Sequence, residues 1–280
     1  MSNRVLIGIL MAGFFAAIGA GYGQVVKPGA LSIVGSLDSV LSRNSSLLER
    51  QEAVRSLGSG LEDDEYSALL EFLARKSSDD SLPADQLVAL KNEVVNKLKN
   101  QERDPVELIR ALVAMFGDVT QDEVWRDYCI QHLGTLYKAA EGADREAVKK
   151  LFLQATDLKQ GSIPGTALIA LANNAGSDIA SQAVAAKAIV IAEDVLYGDA
   201  ARITALQIAA KQNDARILSV ARETAFGSVS APLRVSAIAV LGMMGDKTDL
   251  TKLEPLASST DIRLRTAATA AVKKLKGQGH

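Results

Sequence analysis

The most constraining feature of this 280-residue sequence is a short pattern that returns along most of its length. In the copy RLRTAATAAVK, Arg265 is followed by Ala268 three residues later and by Val272 seven residues later. We call the distance from the first residue of a copy its offset. Clear copies begin at Arg50, Arg126, Arg202, Arg234 and Arg265, and looser copies begin at Lys91 and Pro164. Successive copies begin 31 to 41 residues apart, which is the length of a helical hairpin with its turns.

The spacing within each copy is that of an α-helix. Offsets 0, 3, 4 and 7 fall on one helix face, so a small residue at offset 3 lets a partner helix approach while aliphatic residues fill the seam. A second amphipathic segment lies between consecutive copies, beginning at Glu65, Pro105, Arg145, Ala180, Asp214 and Asp249. Aromatic residues make up only 4% of the sequence, which favours closely packed helices over a sheet. The sequence therefore predicts an all-α fold, an α-solenoid of about seven helical hairpins.

The pattern resembles the HEAT repeat family. Its members share an arginine that opens the second helix, a small residue three places later, an adjacent aliphatic residue and a closing Leu-Gly. An Asp or Pro in the preceding turn belongs to the same signature. Here such a residue precedes the arginine by two to four positions at Asp122, Asp199, Pro232 and Asp261. The resemblance covers roughly residues 47–276 and implies an armadillo-like scaffold. We expect each arginine to bind the aspartate of the turn or carbonyl groups of the neighbouring repeat.

The N-terminus has the composition of an export signal. Arg4 precedes an apolar run over residues 5–18, and small residues follow up to Gln24. This order predicts a secretory signal peptide at residues 1–23, removed after about Ala20 or Gly23. The alternative is an uncleaved membrane anchor over residues 5–26, since no charge lies between Arg4 and Lys27.

Either interpretation of the N-terminus places the rest of the protein outside the cytoplasm, in the periplasm of a bacterium or secreted. Residues 24–46 are rich in Ser and Gly and predict a linker with a capping helix. Residues 47–280 are assigned to the solenoid.

No catalytic constellation is recognisable. Cys129 and His132 form a CxxH pair, but Cys129 occupies the small-residue slot of its copy, so a buried hydrophobic role explains it better than metal ligation. The carboxylates of Asp63, Asp64 and Glu65 suit the first turn of a helix. Nucleophile, zinc, P-loop and dinucleotide motifs are missing from the sequence. We therefore expect no enzyme activity, no metal and no cofactor.

Offsets 2 and 5 point away from the predicted seam and define a candidate partner face. This face changes from charged side chains in the first copy to alanines in the last, at Ala267 and Ala270. The C-terminal copies therefore either curl tightly against their neighbours or expose a groove that a partner fills. Aromatic residues near the third copy favour an interface there. The candidate contact residues are Trp125, Tyr128, Gln131 and Ile169.

These features predict an exported scaffold that binds a protein or peptide through its concave face. The net charge of −2 and the scattered basic residues argue against a nucleic-acid partner. Two alternatives stay open: an enzyme on a similar scaffold, resembling DNA glycosylases or bilin lyases, and a membrane-tethered assembly factor. A membrane contact is expected only if residues 5–26 stay attached. The oligomeric state is not predicted.

Overall fold

The computed structural model describes residues 36–176 and 178–277, and this part of the protein is entirely helical. Its elements are 14 α-helices and two short 3-10 turns, with no β-strand among the described residues. The all-α prediction is therefore confirmed for this part. The predicted signal peptide, or anchor, and most of the predicted linker lie outside the described residues. No helix in the described part has the length and apolar character needed to cross a membrane.

The helices alternate between two sets. The odd-numbered helices are α1 (Ser36–Leu41), α3 (Asp63–Ala74), α5 (Val106–Gly117), α7 (Gly142–Ala155), α9 (Ser181–Glu193), α11 (Ile217–Phe226) and α13 (Leu250–Leu256). The even-numbered helices are α2 (Leu47–Ser56), α4 (Ala84–Lys99), α6 (Glu123–Leu136), α8 (Ile163–Asn173), α10 (Asp199–Lys211), α12 (Ala231–Met244) and α14 (Ile262–Gly277). Every copy of the sequence pattern lies on an even helix.

The position of the pattern within its helix is constant in five cases. The arginine is the fourth helical residue in α2, α6, α10, α12 and α14. The copy at Lys91 is different, because α4 already begins at Ala84, directly after Pro83. Lys91 is therefore the eighth residue of its helix, because proline fixes a φ suited to a helix start and α4 begins further upstream of its copy than the other even helices do.

Polar side chains define where several even helices begin. Ser46 accepts a hydrogen bond from the backbone N–H of Glu49, and the Glu49 carboxylate accepts one from the Ser46 N–H, forming a capping box. Asp122 accepts from the N–H groups of Val124 and Trp125 at the start of α6. These caps satisfy N–H groups that have no partner inside the helix.

Each odd helix packs against the even helix that follows it, and the resulting hairpins contact their neighbours in sequence order. The even helices form one continuous series of contacts, α2 with α4, α4 with α6, and so on to α14. All extensive helix contacts join elements one or two places apart in the sequence. The residues at offset 3 are buried in every copy, namely Ala53, Val94, Cys129, Ala167, Ala205, Ala237 and Ala268.

Glycines let some even helices approach very closely. A methyl group on Gly134 of α6 would lie 3.2 Å from the Cβ of Ala170 in α8. The closest case joins α12 to α14, where a methyl group on Gly242 would lie 2.9 Å from both Cα and Cβ of Ala271. The backbone of one helix therefore rests directly on an alanine of the next.

From α1 to α10, several of the turns that lead from an odd to an even helix contact the next such turn. The Ser81 hydroxyl donates to the Arg43 carbonyl, and Lys76 Nζ lies 3.8 Å from the Asp118 carboxylate. Further along, Lys159 Nζ lies 2.5 Å from the Asp194 carboxylate. We call the surface formed by these turns the turn edge.

Candidate interaction face

The arginines that begin the copies bind the end of the preceding helix. In four of the five, the Nε group donates to a carbonyl oxygen nine or ten residues earlier, as in Arg50 to Val40 (2.8 Å) and Arg126 to Phe116 (2.9 Å). The same bond joins Arg202 to Ala192 and Arg234 to Ala225, both at 3.0 Å. Carbonyls in the last turn of a helix lack internal partners, and the guanidinium satisfies them.

The expected bond from arginine to the aspartate of the turn is wrong. Asp122 caps α6, and Asp261 accepts from the backbone and side chain of Arg263 rather than from the Arg265 side chain. Arg265 instead donates to the Ser259 carbonyl at 2.7 Å. Asp199 lies in the first turn of α10, where its charge suits the helix dipole.

At the first three junctions between hairpins, the side chain that begins the copy also contacts the turn of the next hairpin. Arg50 donates from both Nη atoms to the Asp80 carboxylate, at 2.7 and 3.0 Å. Lys91 donates to the Arg75 carbonyl and to Gln121 Oε1, the latter at 3.4 Å. We call a side chain that contacts both the preceding helix and the following turn an inter-hairpin bridge.

The third bridge is formed by Arg126. Its Nη1 atom donates to Gln160 Oε1 at 3.2 Å, in the turn that follows α7. The acceptor therefore changes from a carboxylate to an amide between the first and the later bridges. Among these three, only the bridge at Arg50 pairs two charges, and both side chains of that pair are fully buried.

The residues at offset 5 form an exposed row along the even helices. Six of the seven are exposed: Arg55, Asn96, Gln131, Gln207, Ala239 and Ala270. The seventh, Ile169, is half-buried. At offset 2 most side chains are half-buried, and Ser236 is buried. The outward face predicted from the sequence is thus narrower than expected, and we call it the offset-5 row.

Tyr128 and Gln131 sit beside each other at this face. The Tyr128 ring is half-buried and stacks on His132, with ring centroids 6.4 Å apart. Gln131 is exposed, and its Nε2 donates to Asp127 at 3.3 Å. The same Asp127 oxygen accepts from the Ser162 hydroxyl of the next hairpin at 3.0 Å. Neighbouring hairpins therefore hold the polar groups under Gln131 in place.

Trp125 does not belong to the face. Its side chain is fully buried, with Lys91 Nζ 5.0 Å from its ring centroid. The candidate contact role of Trp125 is therefore wrong. Trp125 lies four residues before Cys129, on the same buried side of α6, which directs the ring into the core.

Cys129 and His132 lie in the core and are held in their neutral forms. Burial raises the pKa of the Cys129 thiol to about 12. Burial, together with the charge of Lys99, lowers the pKa of His132 to about 4. His132 Nε2 is 2.9 Å from Asn92 Oδ1, so a hydrogen bond links α6 to α4. Among the residues that the structure describes, no three His, Cys, Asp or Glu side chains are grouped so that they could hold a metal ion.

The C-terminal part of the face is apolar. Ala239 and Ala270 are exposed, and Met243, at offset 9 in α12, is 52% exposed. Met243 was not among the candidate residues, although continuing the helical period by one turn beyond offset 5 would have identified it. The helices α12 and α14 touch closely through Gly242, as expected for tight packing, while their outward residues at offset 5 stay exposed.

The carboxylates predicted to open a helix lie in the first turn of α3, where Glu62 and Glu65 form the capping contacts.

Comparison of the sequence with known protein families, with curated proteins and with solved structures yields no match.

Proposed function

We propose that this protein is a HEAT-like α-solenoid that acts as an exported scaffold and binds a protein or peptide through the offset-5 row, without catalysis. The partner lies across successive even helices. Ile169 of the row and Tyr128, which lies beside the row at offset 2, supply apolar contact area. The Gln131 amide both donates to and accepts from the partner's backbone.

One observation carries the proposal. The residue at offset 5 is exposed on six of the seven even helices, all except α8. The residue at offset 3, two places earlier, is buried on all seven. A row of this kind repeats similar side-chain positions at the spacing of packed helices, which suits an extended partner. The buried neutral state of Cys129 and His132 is consistent with a structural role for the residue pair that most resembled a site.

Site-directed photo-crosslinking tests the proposed face. A benzophenone amino acid is placed at Gln131 on α6 or, as a matched control, at Gln154, an exposed glutamine on α7. We expect a specific crosslinked protein from the native host with the probe at Gln131 and not at Gln154. Equal crosslinking from both positions contradicts the proposal.

The captured partner then allows a quantitative test. We expect Gln131→Ala and Ile169→Ala to weaken its binding about tenfold or more when combined, because contacts near the centre of an interface dominate affinity. Gln154→Ala is the control and leaves binding unchanged. Circular dichroism verifies that each variant retains its helical content. If the double variant binds the partner as tightly as the unchanged protein, the offset-5 row is not the binding face.

Export has its own test. The mass of the protein recovered from the native host distinguishes a chain shortened by 20 to 23 residues, as for a cleaved signal at Ala20 or Gly23, from a full-length anchored protein. Recovery of full-length protein in the membrane fraction supports the tethered alternative. Recovery of full-length protein in the cytoplasm contradicts export in either form.

A further inference from the structure

Arg202 holds the bridge position but has no partner in the next turn. Its Nε donates to the Ala192 carbonyl at 3.0 Å, like the arginines of α2 and α6. Within the described residues, its Nη atoms have no hydrogen-bond acceptor, whereas those of Arg50 bind Asp80. The following turn, residues 227–230, reads Gly-Ser-Val-Ser and offers no long polar side chain. The donors that form a bridge elsewhere are thus unused here.

A cavity takes the place of the missing bridge. It has a volume of about 200 Å³ and lies at the turn edge between α9, α10 and α11. Arg202, which is only 8% exposed, lines it together with Val195, Val220 and Val229. This volume is below the range of pockets for drug-sized ligands and fits one small group.

The charges around the cavity define what it can hold. Arg202 presents planar guanidinium donors, which match a carboxylate in a bidentate arrangement. Glu193 and Glu223 also line the cavity. These two carboxylates repel a bare anion, but they accept hydrogen bonds from N–H groups. The best fit is therefore a carboxylate that carries an amide N–H close by, on a small apolar body that contacts the valines.

We propose that this cavity is a peptide-carboxylate subsite, in which a ligand carboxylate binds Arg202 as Asp80 binds Arg50. The ligand's amide N–H groups meet Glu193 and Glu223 at the mouth. Two sources present this chemistry, the C-terminus of a polypeptide and an aspartate side chain. The subsite lies at the turn edge and not on the offset-5 row, so it stands or fails separately from the proposed function.

Nuclear magnetic resonance on the ¹⁵N-labelled full-length protein tests the subsite with two probes. N-acetylvaline carries a free terminal carboxylate, and N-acetylaspartate N-methylamide carries only the carboxylate of its aspartate. We expect a saturable shift of the Arg202 Nε–H signal, identified by its loss in Arg202→Gln, and of the backbone N–H signals of Val195 and Val229. The probe that binds more tightly identifies the source. If neither probe shifts these signals in a saturable way, the proposal is overturned.

Two variants block the subsite by different means. Ser228 lies two residues before the N-cap Ser230, as Gln160 lies two before Ser162, so Ser228→Asp supplies an internal carboxylate to Arg202. Val195→Trp narrows the mouth at a side chain that is 75% exposed, so it leaves the core intact. We expect each to weaken binding at least about tenfold, as loss of charge-assisted hydrogen bonds does. Ser228→Ala is the control, and unchanged binding in both blocking variants overturns the proposal.

Discussion

The first and the last hairpins of this molecule are joined in different ways. Between α2 and α8, long cationic side chains span from one helix end to the next turn, and aromatic rings pack under them. Arg50 lies 5.2 Å from the Phe72 ring centroid, and Arg126 lies 5.0 Å from that of Phe116. Between the even helices α12 and α14 the contact is instead a glycine resting on an alanine, with Gly242 against Ala271, while Arg222 of the odd helix α11 pairs with Asp249 directly before α13 at 2.7 Å.

The difference separates two physical means of joining similar hairpins. A bridge depends on hydrogen bonds and charge, so it is directional and sensitive to pH. A glycine contact depends on shape alone, because no side chain intervenes and any added atom must displace backbone. The α2–α4 junction and the α12–α14 junction should therefore respond differently to mutation and pH.

The largest expected effect comes from removing the charged bridge. Arg50→Met removes both guanidinium hydrogen bonds from the buried Asp80 carboxylate and leaves it Arg75 Nη1 at 3.6 Å and the Leu82 N–H, so we expect a loss of about 3 kcal/mol of unfolding free energy. Arg202→Met removes one hydrogen bond to a carbonyl and no ion pair, so we expect a loss of about 1–2 kcal/mol. Urea denaturation monitored by circular dichroism measures both. Equal losses in the two variants would show that the bridge to Asp80 adds nothing.

Acid provides a second test of the same bridge. Burial raises the pKa of Asp80, but the hydrogen bonds from Arg50 and the Leu82 N–H, with the charges of Arg50 and Arg75, outweigh it and hold the pKa below its usual range. A lowered pKa in the folded state means that this stabilisation is present above about pH 4 and is lost as the pH falls further. We expect the stability of Asp80→Asn to fall less steeply with acid than that of the unchanged protein, and parallel curves would contradict this.

The glycine contact gives the next effect. Gly242→Val places side-chain atoms where the backbone of α14 already lies, and we expect a cost of about 1–3 kcal/mol. Gly117→Val is the matched control, because nothing beyond its own helical turn lies within 4 Å of the position its Cβ would take. Thermal unfolding compares the two variants. If both lose the same stability, close helix approach is not what joins α12 to α14.

The buried Lys91 of the second bridge should make the unfolding free energy depend on pH in the alkaline range. Burial lowers its pKa to about 8, against about 10.4 in an unfolded polypeptide. Between these pH values the unfolded state holds a proton that the folded state has released, so the unfolding free energy rises with pH. We expect the unchanged protein to gain about 1–3 kcal/mol relative to Lys91→Met from pH 8 to pH 10. A stability difference that stays constant over this range contradicts the assignment.

The smallest effect comes from adding a bridge where none exists. Ser228→Asp offers Arg202 a carboxylate, and at this partly exposed turn we expect a gain of up to about 1 kcal/mol. Ser228→Ala controls for loss of the hydroxyl. Chemical denaturation at pH 7 and at pH 3 measures the gain, which should disappear when the new carboxylate is protonated. A gain that persists at pH 3 has a different cause.

The sequence predicts the helices better than their contacts. Periodicity locates the even helices and the buried slot at offset 3, because both follow from positions along one segment. The partner of Arg126 is Phe116, ten residues earlier on another helix, and it depends on how α5 and α6 pack rather than on spacing within either. The burial of Trp125 could have been predicted, since it shares a helix face with Cys129. The cavity at Arg202 could not have been predicted, because it depends on how α9, α10 and α11 pack and on a following turn that offers no long polar side chain.

The distances between hairpins in solution test the central claim most directly, namely that the hairpins form an open array. Spin labels are attached to cysteine pairs in the offset-5 row, in a Cys129→Ala background that matches the alanine found at offset 3 in five other copies. The pairs are Asn96 with Gln131, Asn96 with Gln207, and Asn96 with Ala270. We expect the measured distance to increase at each step, by up to about 8–10 Å for each hairpin passed. An Asn96 to Ala270 distance as short as that from Asn96 to Gln131 would mean that the protein folds back on itself, which contradicts the account.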